Sequence, residues 1–434
     1  MSEERIMILT MLQEGKISSE EAAKLLDALD EAELKESEKY YSDTDCEATA
    51  ISFENISNKI SKKIDKHSKE FETWGNNFGE KLSDKLGNLE NEITEGAISF
   101  TDKVLSFVDD LVDKGTFASI FGVYDTVTDT IEKDLSSIDN PSLEIQAKNG
   151  KITVKPWDKE IVSIKAICQF KKGSYDKNSS VYDVIEDENR VIFKPKYSGN
   201  VGAKLDVFIP EKHYEQIFLF TSNGKIEIEE IKAKEFLFDT SNSSINLCDL
   251  HSNKIKACTK NGKIIATDIV SELLDVTTTN SAIALSDINS RHIKASTKNS
   301  KILTSDITSD QLNLTTSNGQ IIVEDCESKF VKCKTHNANI KVSDIDTSTL
   351  NNIELDTSNG QIELLLDKKD TVFNIDATTS MGHIDIDIPN LVYTLNNQQH
   401  LGNKKILAHS SNYSEDNSSV NIIAFTSNGT IKIG

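Results

Sequence analysis

Seven acidic residues, Glu230, Asp249, Asp268, Asp287, Asp306, Asp325 and Asp344, follow one another at a constant spacing of 19. Carboxylates repeated on one framework can hold cations between neighbours, accept hydrogen bonds from backbone N–H groups at turns, or serve as the acid and base of a glycosidase. Short acidic side chains cap turns routinely, so capping is expected of this column, with a strip for cations or a basic partner as the alternative. The Gly-rich double turn of calcium-binding nonapeptide solenoids does not occur here. A polysaccharide-acting site would need acids clustered with Arg or Lys on one outer face. Beyond residue 220 the sequence has a single arginine, Arg291, and the eight histidines (67, 213, 251, 292, 336, 383, 400, 409) are scattered. There is no phosphate-binding Gly-rich loop, nucleophile elbow or Cys/His metal spacing. The six cysteines (Cys46, Cys168, Cys248, Cys258, Cys326, Cys333) form no CxxC pair and read as reduced core residues. No catalytic residue, cofactor or metal is expected.

The acids belong to a repeat that must position them. TSNGKIEIEEI begins at Thr221 and TSNSSINLCDL at Thr240; TKNGKIIATDI, TTNSAIALSDI, TKNSKILTSDI, TSNGQIIVEDC and THNANIKVSDI follow at 259, 278, 297, 316 and 335. A fixed period near 20 marks supersecondary units that bury their apolar faces only by stacking on one another. Ile226 and Ile228, then Phe236 and Phe238, alternate with polar residues, and the later copies keep both pairs. This two-residue period predicts two short strands per coil, each with one buried face. Asn-Gly or Asn-Ser and Asp-Ile or Asp-Leu supply the corners. The fold expected is mainly β, a parallel β-solenoid of 19-residue coils, right-handed by the crossover rule, with an α-helical N-terminal region. The Thr row from 221 to 335 and the Asn row (Asn223, Asn242, Asn261, Asn280, Asn299, Asn318, Asn337) are expected as internal hydroxyl and amide ladders that satisfy each other and the turn backbone. Outward residues alternate as Lys256, Asp275, Lys294, Asn313 and Lys332, which keeps like charges apart and pins the register.

Ahead of the coils the pattern is helical. Residues 1–30 read as a hairpin, with Gly15 ending one helix and Ser18 and Glu21 capping the next. An acidic, Ser-rich linker covers 31–52. From 53 to 114 apolar residues recur eleven apart, as at Ile60, Phe71, Leu82, Ile93 and Val104. Eleven residues in three turns keep an apolar stripe straight along a long helix. Its first part sets Lys59, Lys62, Lys63, Lys66 and Lys69 around Ile60, Ile64, Phe71, Trp74 and Phe78. This is a candidate contact with an anionic membrane surface or a protein partner; packing within a helical hairpin is the other reading. A connector spans 115–139, a first coil and irregular β region 140–220, and the solenoid 221–434. The last phrase, TSNGTIKIG at 426, predicts a final coil without a cap, an exposed end that invites stacking.

The net charge of −22 argues against nucleic-acid binding. With no leader pattern and no long apolar run in the sequence, the expected location is cytoplasmic, or peripheral on the inner face of the cell membrane.

The TSNGxIxI phrases at 221, 357 and 426, VFIPEK at 207 and AKNGKITV at 147 resemble a bacterial adhesin-labelled family of β-strand repeat domains whose function is unknown. ILTMLQEGKISSEEAAKLLDAL at 8–29 resembles the SHOCT-like helical hairpin. Together they resemble proteins encoded beside Gram-positive envelope-stress systems, and the resemblance carries over no catalytic residue. The function expected is a non-enzymatic cytoplasmic scaffold or regulator that binds a protein partner, or itself, through the hairpin and the solenoid end. A surface adhesin or carbohydrate-binding solenoid is the alternative, with a polysaccharide-acting enzyme behind it.

Overall fold

The computed structural model describes residues 124–176, 179–197, 201–366, 371–397, 403–414 and 419–434. The hairpin, the linker and the 53–114 segment, with its Lys59–Phe78 face, lie outside the described residues. Every regular element described is a strand, and the strands form one sheet.

The N-terminal end is β1 (Tyr124–Asp134), β2 (Ser142–Gln146), β3 (Asn149–Trp157), β4 (Ile161–Lys171), β5 (Tyr182–Asp187), β6 (Arg190–Pro195), β7 (Gly202–Pro210) and β8 (Tyr214–Thr221). Here stacking order departs from sequence order. β2 lies between β6 and β8, and β3 between β7 and β9 (Ile226–Thr240), all in parallel. Strands of the stretch 160–220, which breaks the repeat pattern, make an end cap together with β1: β4 runs antiparallel on β7, β1 on β4, and β5 on β6.

The regular coils are β9, β10 (Ile245–Thr259), β11 (Ile264–Thr277), β12 (Ile283–Ser296), β13 (Ile302–Thr315) and β14 (Ile321–Lys334), paired in parallel at the 19-residue offset. The two strand halves read in each copy run into one strand that bends at the acid. There φ is 58° at Glu230 and 48–55° from Asp249 to Asp344, and pairing steps over the residue, from Cys248↔Thr267 to Leu250↔Ile269. The bend shifts the alternation, so Ile231, Leu250, Ile269, Ile288, Ile307, Cys326 and Ile345 also turn inward and are buried. Ile226 starts a column through Ile245, Ile264, Ile283, Ile302, Ile321 and Ile340. Each such side chain contributes about 1.5–3 kcal/mol when fully buried, and only a stacked neighbour buries it.

The stack continues through β15 (Ile340–Ile345), β16 (Asn352–Thr357), β17 (Ile362–Leu366), β18 (Phe373–Thr379), β19 (Ile384–Ile386), β20 (Leu391–Asn397), β21 (Lys404–Ser410), β22 (Val420–Thr426) and β23 (Ile431–Ile433). The expectation of an open final coil is overturned. β22 is inserted between β16 and β18, and β23 between β17 and β19, all parallel. Gly434 donates its N–H to the Leu364 carbonyl and accepts from the Leu366 N–H, both inside the stack. With strands on both sides, the terminal coil leaves no unpaired edge of its own. Within the looser 390–419 stretch, β20 and β21 form a second cap, β21 antiparallel on β18 and β20 on β21.

Candidate functional site

The Thr-Asn corner holds the coils together. Thr240, Thr259, Thr278, Thr297, Thr316 and Thr335 are buried. Each donates its hydroxyl to a carbonyl one corner back, those of Gly224, Ser243, Gly262, Ser281, Ser300 and Gly319, at 2.9–3.0 Å. The hydroxyls therefore satisfy backbone acceptors and not one another. Backbones approach closely here: a Cβ on Gly319 would lie 1.7 Å from the Ser300 carbonyl oxygen, so a side chain at Gly319 would require its backbone to move.

The Asn residues form a ladder in which each side-chain Nδ2 donates to the Oδ1 of the Asn before it in the stack. It runs from Asn149 through Asn223, Asn242, Asn261, Asn280, Asn299, Asn318, Asn337 and Asn359 to Asn428, at 2.5–2.8 Å. The expectation of an internal amide row is corrected, because most of these side chains are exposed and none is buried. At the C-terminal end Met381 takes the Asn place: its N–H bonds the Ser427 carbonyl as the Asn428 N–H bonds that of Ser358.

The acids behave differently from the capping expectation. Among the described residues no backbone N–H bonds any of the seven carboxylates. What the position requires is a left-handed backbone, which Asp and Asn adopt more readily than other side-chain-bearing residues. All seven acids are exposed, forming a ridge with carboxylates one rung apart, ~4.8 Å. In water each adjacent pair repels by about 1 kcal/mol, before screening by salt. Beside the ridge runs a groove of about 310 Å³ lined by Asp249, His251, Asp268, Val270, Asp287, Asn289 and Asp306. Toward the N-terminal cap it meets a hollow of about 470 Å³ that adds His213, Lys212 and Lys232. His251 Nε2 lies 3.5 Å from Asp249. No group of acids, His and Cys among the described residues has metal-holding geometry.

Elsewhere several outer charges are paired between coils. Lys254 pairs with Glu235 at 2.7 Å, Lys329 with Asp310 at 2.6 Å, Lys332 with Glu354 at 2.8 Å and Lys334 with Asp356 at 2.8 Å. The alternating row has the expected register, Lys256↔Asp275↔Lys294↔Asn313↔Lys332. Partial burial pushes the Glu227 carboxyl up, but Lys151 and Lys225 together outweigh it and hold Glu227 below the usual range. Among the described residues no lysine or arginine forms an ion pair with the ridge, so what it can do chemically is attract cationic groups. Cys248 sits against it: partial burial, then the charges of Asp268 and Glu229, raise its thiol pKa. Burial raises Cys326 to about 11 and Cys168 to about 12, which keeps both thiols protonated. The groove escaped sequence reasoning; its signal was the slip in alternation from Ile228 to Ile231, which marks the bend.

Residues 3–33 match a SHOCT-like domain, and residues 140–299 and 281–434 match Toastrack DUF4097. "Uncharacterized protein YvlB" of Bacillus subtilis (strain 168) is 24% identical over 251 residues, 56% of this chain and 58% of its own length. The chain thus spans a little over half of that curated relative. A crystal structure described as "a putative cell adhesion protein" from Clostridium sporogenes is 10% identical, covering 71% of this chain and 99% of its own, with a TM-score of 0.17.

Proposed function

Because the chain belongs to the Toastrack DUF4097 family and carries a SHOCT-like domain ahead of it, we propose that it is a non-enzymatic scaffold on the cytoplasmic face of the membrane. In this reading the lysine-rich segment around Lys59–Lys69 contacts anionic lipid, while the solenoid stands off the surface and presents its acidic ridge to a cationic partner. The observation that supports it is the contrast in charge: several outer acids are paired with lysines of neighbouring coils, whereas the seven stacked carboxylates of the ridge have no lysine or arginine ion pair among the described residues, His251 beside Asp249 being their one basic contact. An anionic bilayer repels such a ridge, so lipid contact falls to the basic segment. We take the pairing of the two domains as support for a role in an envelope-stress response.

Flotation of the full chain with liposomes tests this reading, beside a chain lacking residues 52–114. Flotation with anionic vesicles, weakened by high salt and lost on the deletion, is the expected result. If the intact chain fails to float, or the shortened chain floats equally well, the membrane reading fails.

A further inference from the structure

Six asparagines of the ladder precede a glycine: Asn149, Asn223, Asn261, Asn318, Asn359 and Asn428. Asparagine is a thermolabile residue, most of all before glycine, where no side chain hinders attack of the next backbone nitrogen on the amide carbon. The six dipeptides are chemically alike, and the fold makes them unequal. Asn223, Asn261, Asn318 and Asn359 are held at both ends of the side chain, each donating to one Asn and accepting from another. Asn149 only accepts, but it lies with Gly150 inside β3, where both residues pair with β7. Asn428 is held at one end alone. It donates to Asn359 at 2.6 Å, while Met381, next in the stack, has no amide to give its Oδ1.

Access differs in the same direction. Gly150, Gly224, Gly262, Gly319 and Gly360 are buried, whereas Gly429 is partly exposed. The N–H groups of Gly262 and Gly319 are tied to the hydroxyls of Thr259 and Thr316; that of Gly429 makes no hydrogen bond among the described residues. One contact is common to all six and does not separate them. Each glycine carbonyl accepts from a Thr hydroxyl, Gly429 from Thr379 at 3.0 Å.

We propose that Asn428–Gly429 is a self-modifying site, the corner at which the folded chain deamidates first and from which its tucked C-terminal coil loosens. The reaction needs only water and hydroxide. Hydroxide takes the Gly429 amide proton, the nitrogen attacks Asn428 Cγ, and the Cγ–Nδ2 bond breaks as ammonia leaves with a proton from water. Water then opens the five-membered imide at either carbonyl, giving aspartate or, with the main chain rerouted through the side chain, isoaspartate. Nothing is oxidised or reduced. Both products replace the amide by a carboxylate, which has no N–H to donate, so the bond to Asn359 is lost. Isoaspartate also lengthens the main chain by one carbon just ahead of β23, whose register on β17 and β19 starts at Ile431. The site is independent of lipid binding and of the ridge.

The full chain, warmed at mildly alkaline pH and sampled over weeks, is digested and the six dipeptides are quantified by tandem mass spectrometry. Asn428 should be lost at least about fivefold faster than any of the other five, the ratio that one missing neutral hydrogen bond provides. In urea, where no ladder exists, the six rates should converge. Met381→Asn supplies the missing donor and should slow the loss at Asn428 at least about threefold in the folded chain, with no effect in urea. Hydrogen exchange at 431–433 should quicken as the modified fraction grows. Equal rates in the folded chain, or first loss at another of the six, overturn the proposal. So does an order that persists in urea, since it would come from the flanking residues and not from the fold. A Met381→Asn chain that folds and deamidates at the original rate rejects the missing donor as the cause, and exchange at 431–433 that stays constant while Asn428 is consumed rejects the loosening. Should that variant melt early, the natural chain compared with and without urea decides alone.

Discussion

At Asp306 the backbone sits at φ 53° and the carboxylate bonds no backbone N–H, so the residue is selected for the conformation it tolerates. Replacing it separates conformation from charge. Asp306→Asn should change stability by less than about 0.5 kcal/mol, and Asp306→Gly should also be mild. Asp306→Ala should lose about 1–2 kcal/mol, because a Cβ without a local polar group is strained at positive φ. Urea denaturation of the four chains checks this; an Asp306→Asn loss as large as that of alanine would restore a capping role. The sequence could not separate the two roles, since caps and left-handed bends draw on the same few residues, Asp, Asn and Gly. The Thr row was legible as buried, as the inward alternation through Phe236, Phe238 and Thr240 demanded. Its acceptors were not, because a hydroxyl can satisfy a neighbouring hydroxyl or a carbonyl with equal chemistry.

Between coils, register is held by apolar columns within and by ion pairs without. Glu227, on β9, accepts hydrogen bonds from Lys151 of the coil stacked beneath it and from Lys225 at its own corner, and its carboxyl is held below the usual range. A carboxyl whose folded pKa is depressed contributes stability that is fully present above its unfolded value, near 4.3, and is lost as pH falls through the lower folded value. The melting temperature of the natural chain should therefore exceed that of Glu227→Gln at pH 7, with the gap closing below about pH 4. A gap that persists unchanged to pH 3 would show that the two lysines do not act through charge. Parallel coils were readable because Ile226, Ile245 and Ile264 touch in space at the spacing they keep in sequence. The ends were not, because there neighbours in space are distant in the chain: Asn223 bonds Asn149, and Asn428 bonds Asn359. TSNGTIKIG is recognisable as a coil, yet nothing within it records that it sits between 362 and 384. The one local clue was Met381, which stands where the Asn ladder stops.

Taken whole, the described chain is a stack closed at both ends by antiparallel strands, with its C-terminal coil tucked one level in. Removing residues 420–434 should release β18 and β21 while sparing the middle, since each coil depends on its immediate neighbours. Hydrogen exchange would then speed at 373–379 and 404–410 and stay unchanged from 264 to 334. Protection that survives in 373–379 would mean that β18 can dock directly on β16, and would remove the need for the insertion. The tucked coil also separates the order of synthesis from the order of assembly. A chain leaving the ribosome can settle coil upon coil from 226 to 366, but the coil at 373–386 has no seat until 420–434 has been made. A product stopped short of that point carries unpaired strands of the kind that proteases and chaperones act on, so an incomplete chain is marked for removal by its own open edges.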